Sequence, residues 1–147
     1  DAHVCTEAVE TIVETNTYLS SVGFESGGLA AAHGIQKGFT FIPALHQQLH
    51  GFNVAFCVLA QLVLENSLVE LKEVMDFSDS VGLPICFADL GYVDVMPEEV
   101  RTAAEKACVP TSTIHNMPFE VTATMVYEAL MAADAYGRAY HTHKGGC

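Results

Sequence analysis

The chain has 147 residues, half of them hydrophobic and only 16% charged, which is the make-up of one folded domain with a real core. Eighteen acidic side chains against six basic ones leave a net charge of −12, a balance that repels phosphate backbones and anionic lipid and so excludes nucleic acid and membrane surfaces as natural partners. No uncharged apolar run reaches the length of a membrane-spanning helix, and the first residues show no basic, apolar signal segment, so a cytoplasmic protein is expected. Cys5, Cys57, Cys86, Cys108 and Cys147 are odd in number, widely spaced and free of any Cys-x-x-Cys pair, which reads as reduced thiols rather than a disulfide or zinc-knuckle framework.

The periodicity is helical nearly throughout. Ala8, Val9, Ile12, Val13 and Leu19 share one face of a first helix over roughly 6–21, with Gly23 as its stop. Ser26 stands as the N-cap of a short second helix running through Gln36, closed by Gly38, and Pro43 marks a loop. A third helix over about 50–65 is apolar on every side between Val54 and Ala60, which puts it at the centre of a bundle. Ser67 can cap a fourth, with Leu68, Leu71, Val74, Met75 and Phe77 turned inward, stopped by Gly82-Leu83-Pro84. Residues 85–96 read as a connector. Pro97, followed by Glu98 and Glu99, opens a fifth helix to about Cys108. Ile114 to Pro118 form a loop, and a last helix carries Val121, Met125, Val126, Ala129, Leu130 and Ala133 ahead of a loose tail from Lys144. With no alternating strand, the fold expected is all-α: a single helical-bundle domain over 1–147.

The chemistry concentrates in residues 24–51. His33 lies near the end of the predicted second helix and His50 at the start of the third, and the small Ala30-Ala31-Ala32 run lets the first of these helices approach its neighbours closely. A turn between the two helices can bring the imidazoles together. Imidazole suits zinc or iron, and a catalytic metal needs about three protein ligands and an open position. Seventeen positions of separation match no compact ligand motif, and spacing alone favours a hydrogen-bonded core His33 and a helix-capping His50. Ser26-Gly27-Gly28 can cradle an anion at a helix start, but it follows no strand and carries no Lys-Ser/Thr, so it is not a nucleotide loop. His141 and His143 read as a solvated tail, and His115-Asn116 has no evident metal role.

Several strings carry a family likeness: Glu14-Thr15-Asn16-Thr17-Tyr18-Leu19-Ser20, then Gly23-Phe24-Glu25-Ser26-Gly27-Gly28-Leu29-Ala30-Ala31-Ala32-His33, then Gln61 to Asn66, Ser80 to Pro84, Thr113 to Pro118 and Val126 to Gly137. Together they resemble the C-terminal helical half of glycerol dehydrogenases, within the iron-containing (group III) alcohol dehydrogenase superfamily. The resemblance implies a catalytic zinc held by His33, His50 and an upstream Asp absent from these residues. It places Phe24 on the substrate and nicotinamide side of a cleft. It implies oxidation of glycerol or another small polyol, in which the metal acidifies the alcohol and hydride passes to NAD. The family's N-terminal nucleotide-binding domain is absent here, so NAD has a place only if that half is supplied. The chain departs from the family after the second ligand, where His50-Gly51-Phe52-Asn53 replaces the usual His-Gly-Glu-Lys, and at Gln36 and Cys57.

Two readings follow. The chain is the metal-binding half of an NAD-dependent polyol dehydrogenase, inactive alone. Alternatively it is a naturally truncated, non-catalytic helical protein that works by self-association, as a homo-oligomer, or by binding a partner.

Overall fold

Apolar residues at helical spacing turn nearly the whole chain into helix, and among the described residues, 5–144 of a computed structural model, no strand forms. The fold is all-α, as the sequence reads. The Lys144-to-Cys147 tail expectation lies largely outside the described residues, although Lys144 itself closes the last helix.

The first helix is longer than its pattern suggests. Helix α1 (Glu7–Glu14) runs through a π-helical turn at Thr15–Leu19 straight into α2 (Ser20–Gly27). Thr6 caps its start, accepting from the Val9 N–H. Gly23 does not stop it, because a glycine inside a helix costs only about 1 kcal/mol relative to alanine. The break comes at Gly28, whose φ of +70° few other residues adopt. Ser26 therefore lies inside α2 and caps nothing. This composite helix buries none of its residues, and its contacts run chiefly within itself.

The next helix, α3 (Ala31–Phe39), starts five residues later than Ser26 and carries through Gly38. Gly38 is there for closeness rather than termination: the Ala103 carbonyl lies where a Cβ would stand. Pro43 opens a short helix, α4 (Pro43–His46), where a loop was expected. Helix α5 (His50–Leu64) is the central one, packed on α3, on α6 (Leu68–Ser80) and on the long C-terminal α8 (Ala123–Lys144), with α7 (Pro97–Ala107) bridging α3 and α8. Leu71 and Met75 face inward from α6, whereas Leu68 and Phe77 are exposed and the Ser67 side chain makes no cap hydrogen bond. Val121 is buried just ahead of α8 rather than within it.

Residues 85–96 are more than a connector. Ile85, Phe87, Leu90 and Tyr92 are buried, and the Phe87 ring meets Phe56 at 4.8 Å, Tyr92 edge-on at 5.6 Å and Phe39 at 6.1 Å between centroids. Buried Asp134 on α8 accepts the Phe87 N–H at 2.8 Å and is itself paired with Arg138 at 2.8 Å, which ties the segment to α8 without a ladder. The four described cysteines are all free. Among the described residues no helix is long and apolar enough to cross a membrane.

Candidate metal centre

Helix α3 begins without a side-chain cap of its own, since its N-cap position is Ala30. The missing acceptor comes from another helix: Gln61 Oε1 on α5 accepts the Ala32 N–H at 2.9 Å, while Gln61 Nε2 donates to Glu65. The two preceding carbonyls are tied down by the 3-10 turn at Thr113–Asn116. Thr113 Oγ1 donates to Ala30 O at 3.0 Å and Asn116 Nδ2 to Leu29 O at 2.7 Å. Gly34 lets the helix lie against Ser112 and Ile114, both 3.0 Å from the place of a Cβ. The Thr113 to Asn116 string, which spacing alone leaves without a role, thus holds the entry to α3.

This frame sets His33 on α3 facing His50, the first residue of α5. The ring centroids are 5.7 Å apart and the planes inclined by 47°. His33 is half-buried and His50 exposed, so the pair opens to solvent on one side. Burial holds the His33 imidazole below its ordinary pKa, and positive charge on His50 or Lys37 would push it the same way. A neutral ring keeps a nitrogen lone pair for a metal at neutral pH. Among the described residues no third His, Cys, Asp or Glu joins the two in a ligand cluster. Phe24 lies on α2, more than half exposed, in the helix that packs chiefly on itself.

The two departures after His50 both turn inward. Phe52 packs half-buried against the core. Asn53 is buried and donates from Nδ2 to Leu45 O at 2.9 Å, pinning the end of α4 to the first turn of α5. Its Oδ1 has no protein partner. Cys57 is fully buried, and burial pushes its thiol well above the usual value, as expected of a small core residue.

A second group of donors was missed in the sequence. Cys86, Asp89 and His141 bring their ligand atoms within 4.8 Å of one another. His141 is exposed, as its solvated reading expects, yet it lies on α8 rather than in a loose tail, with Nε2 3.1 Å from Asp89 Oδ2. Fifty-two positions separate it from Asp89, and only the packing of α8 unites them.

The fold and the paired imidazoles define an all-α domain with donors of the kind that hold zinc or iron. No protein-family model matches the chain. It is 52% identical over 140 residues to a glycerol dehydrogenase of Pseudomonas putida and 51% identical over 141 residues to one of Escherichia coli O6:H1, in each case covering 95% of this chain and 38% of the relative. The structure superposes on glycerol dehydrogenase from Schizosaccharomyces pombe with a TM-score of 0.91 at 37% identity, covering 98% of this chain and 37% of that one. The chain is a homologue of glycerol dehydrogenase over a helical segment, and spans a little over a third of the length of those relatives.

Proposed function

We propose that these residues are the metal-holding helical portion of an NAD-dependent polyol dehydrogenase. The observation that carries the reading is the facing of His33 and His50, 5.7 Å apart, in a chain half identical to glycerol dehydrogenases. Two imidazoles that open to solvent on one side fit zinc as part of a three-ligand set, the third being the family's upstream Asp. When bound, the metal supplies a Lewis acid that favours the alkoxide of a glycerol-like alcohol. The chain's own part is to hold two nitrogens in place. Gln61, Thr113 and Asn116 fix α3 and hence His33, while Asn53 fixes the first turn of α5 and hence His50. Phe24 would line the substrate side of a cleft closed by a nucleotide-binding half.

The test is equilibrium zinc binding to the 147-residue chain and to its His33→Ala and His50→Ala variants, followed by glycerol-dependent NAD reduction with the nucleotide-binding half of a glycerol dehydrogenase supplied as a second chain. Turnover lost with either histidine supports the reading. Turnover indifferent to both would sink it. The chain alone is expected to oxidise no glycerol.

A second reading, self-association without catalysis, is favoured by the exposed apolar face of α1 and α2. Val9, Ile12, Val13, Leu19 and Val22 all stand open to solvent. A face of that kind fits a second copy of the chain.

A further inference from the structure

Asp134, Gly137 and His141 follow one another at spacings of three and four along α8 and therefore share one face. That face meets the turn at residues 85–90. Asp134 holds the Phe87 N–H, and Gly137 lies against the Ile85 carbonyl with no room for a Cβ. One turn further on, the same register delivers His141 to Asp89. Asp89 in turn is locked to its own loop: Oδ2 accepts the N–H groups of Ile85 at 2.9 Å and Cys86 at 3.1 Å. Both backbones are thus fixed before the side chains meet.

We propose that Cys86, Asp89 and His141 form a divalent transition-metal site, of the zinc class, that clasps the 85–90 turn to the C-terminal helix. It is separate from the His33 and His50 pair and does not depend on the function proposed for that pair. The donor set is one thiolate, one carboxylate and one imidazole, a combination that selects zinc or cobalt over calcium or magnesium. Metal bonds of about 2.0–2.3 Å put ligand atoms roughly 3.3–3.8 Å apart. The three donors already lie within 4.8 Å, one pair at 3.1 Å, so side-chain rotation suffices to close the site. The Ile85 and Cys86 N–H groups hold Asp89 Oδ2 within reach of His141, and the ion would take the place of the hydrogen bond between those two side chains. Cys86 is buried at 2% exposure, whereas the His141 and Asp89 side chains are 41% and 31% exposed, so the ion enters from solvent over a sheltered sulfur. Binding releases the Cys86 thiol proton, and any proton on His141, to solvent; no electrons move.

The test uses the chain carrying His33→Ala and His50→Ala together, titrated with cobalt(II) under reducing conditions, with circular dichroism to confirm folding. One equivalent should give an intense near-ultraviolet thiolate-to-cobalt charge-transfer band, displaced by zinc. Cys86→Ser should abolish the band. His141→Ala, a surface change that leaves the core intact, should weaken cobalt binding at least about tenfold. No band, or a band unchanged by His141→Ala or by Cys86→Ser, would overturn the site and leave Asp89 and His141 as a hydrogen-bonded pair beside a free thiol.

Discussion

Gly137 of α8 rests directly on the carbonyl of Ile85, at a separation that leaves no space for a Cβ at position 137. The same device recurs where Gly38 of α3 meets the Ala103 carbonyl. Ordinarily alanine in place of a helical glycine stabilises by about 1 kcal/mol. Here the neighbour is backbone, which cannot swing aside, so the sign reverses. Gly137→Ala is expected to destabilise by about 2–3 kcal/mol, as overpacking does. Gly23→Ala provides the contrast, since nothing lies within 4 Å of its Cβ position, and should raise helicity. Urea unfolding and far-ultraviolet circular dichroism of the two variants measure both effects.

Gln61 caps a helix to which it does not belong. Gln61→Leu leaves the part-buried Ala32 N–H without its acceptor, at a cost of about 1–2 kcal/mol. It also frees the start of α3, so His33 loses its fixed relation to His50. Zinc affinity of the chain should fall while the His33 and His50 side chains themselves remain. Equal zinc affinity in the variant and the parent would show that Thr113, Asn116 and the glycine contacts hold α3 without Gln61.

What the sequence made legible follows from range. The apolar run of α5 reads as central because burial on every side is a property of the run itself, and Phe56, Cys57, Leu59 and Ala60 are indeed buried. Pro97 with two acidic neighbours marks the start of α7 because capping is local. Ser26 misleads for the same reason: a good local cap signal loses to Gly28, whose positive φ ends α2 two residues later. Residues 85–96 look like a connector since their burial depends on rings and a carboxylate contributed from α3, α5 and α8. The pairing of His33 with His50 needs the turn through α4, and Cys86, Asp89 and His141 need the docking of α8. Neither is written in spacing. For the first pair the family strings filled the gap; for the second nothing in the sequence did.

Tyr92 provides a pH dependence that can be measured without a metal. Its hydroxyl accepts the Met96 N–H at 2.8 Å and donates to Glu99 at 2.7 Å, just where α7 begins. Burial, with the Glu99 carboxylate beside it, raises its pKa from 10.0 to about 12. The folded pKa lies above the unfolded one, so the folded state retains the proton longer. This contribution is complete below pH 10 and is lost as the pH climbs from there through about 12. Tyr92→Phe should remove that alkaline limb and cost about 1–3 kcal/mol at neutral pH, because Met96 N–H is left without its acceptor. Stability measured from pH 7 to 12 on both proteins decides it; parallel curves would mean that Tyr92 titrates freely.

The outlying helix makes the last prediction. Ile12 and Val13 stand side by side on α1, each more than half exposed, with no buried residue anywhere from Glu7 to Gly27. Apolar area of this size gains about 25 cal/mol for each Å² removed from water, and a helix face offers it in one stripe. A second copy presenting the same stripe would pair with it about a two-fold axis. Ile12→Glu and Val13→Glu together place like charges across such an axis in a protein already at −12. Sedimentation equilibrium should then show the parent as a dimer or larger and the double variant as a monomer. A monomeric parent at tens of micromolar would remove self-association, and with it the second functional reading.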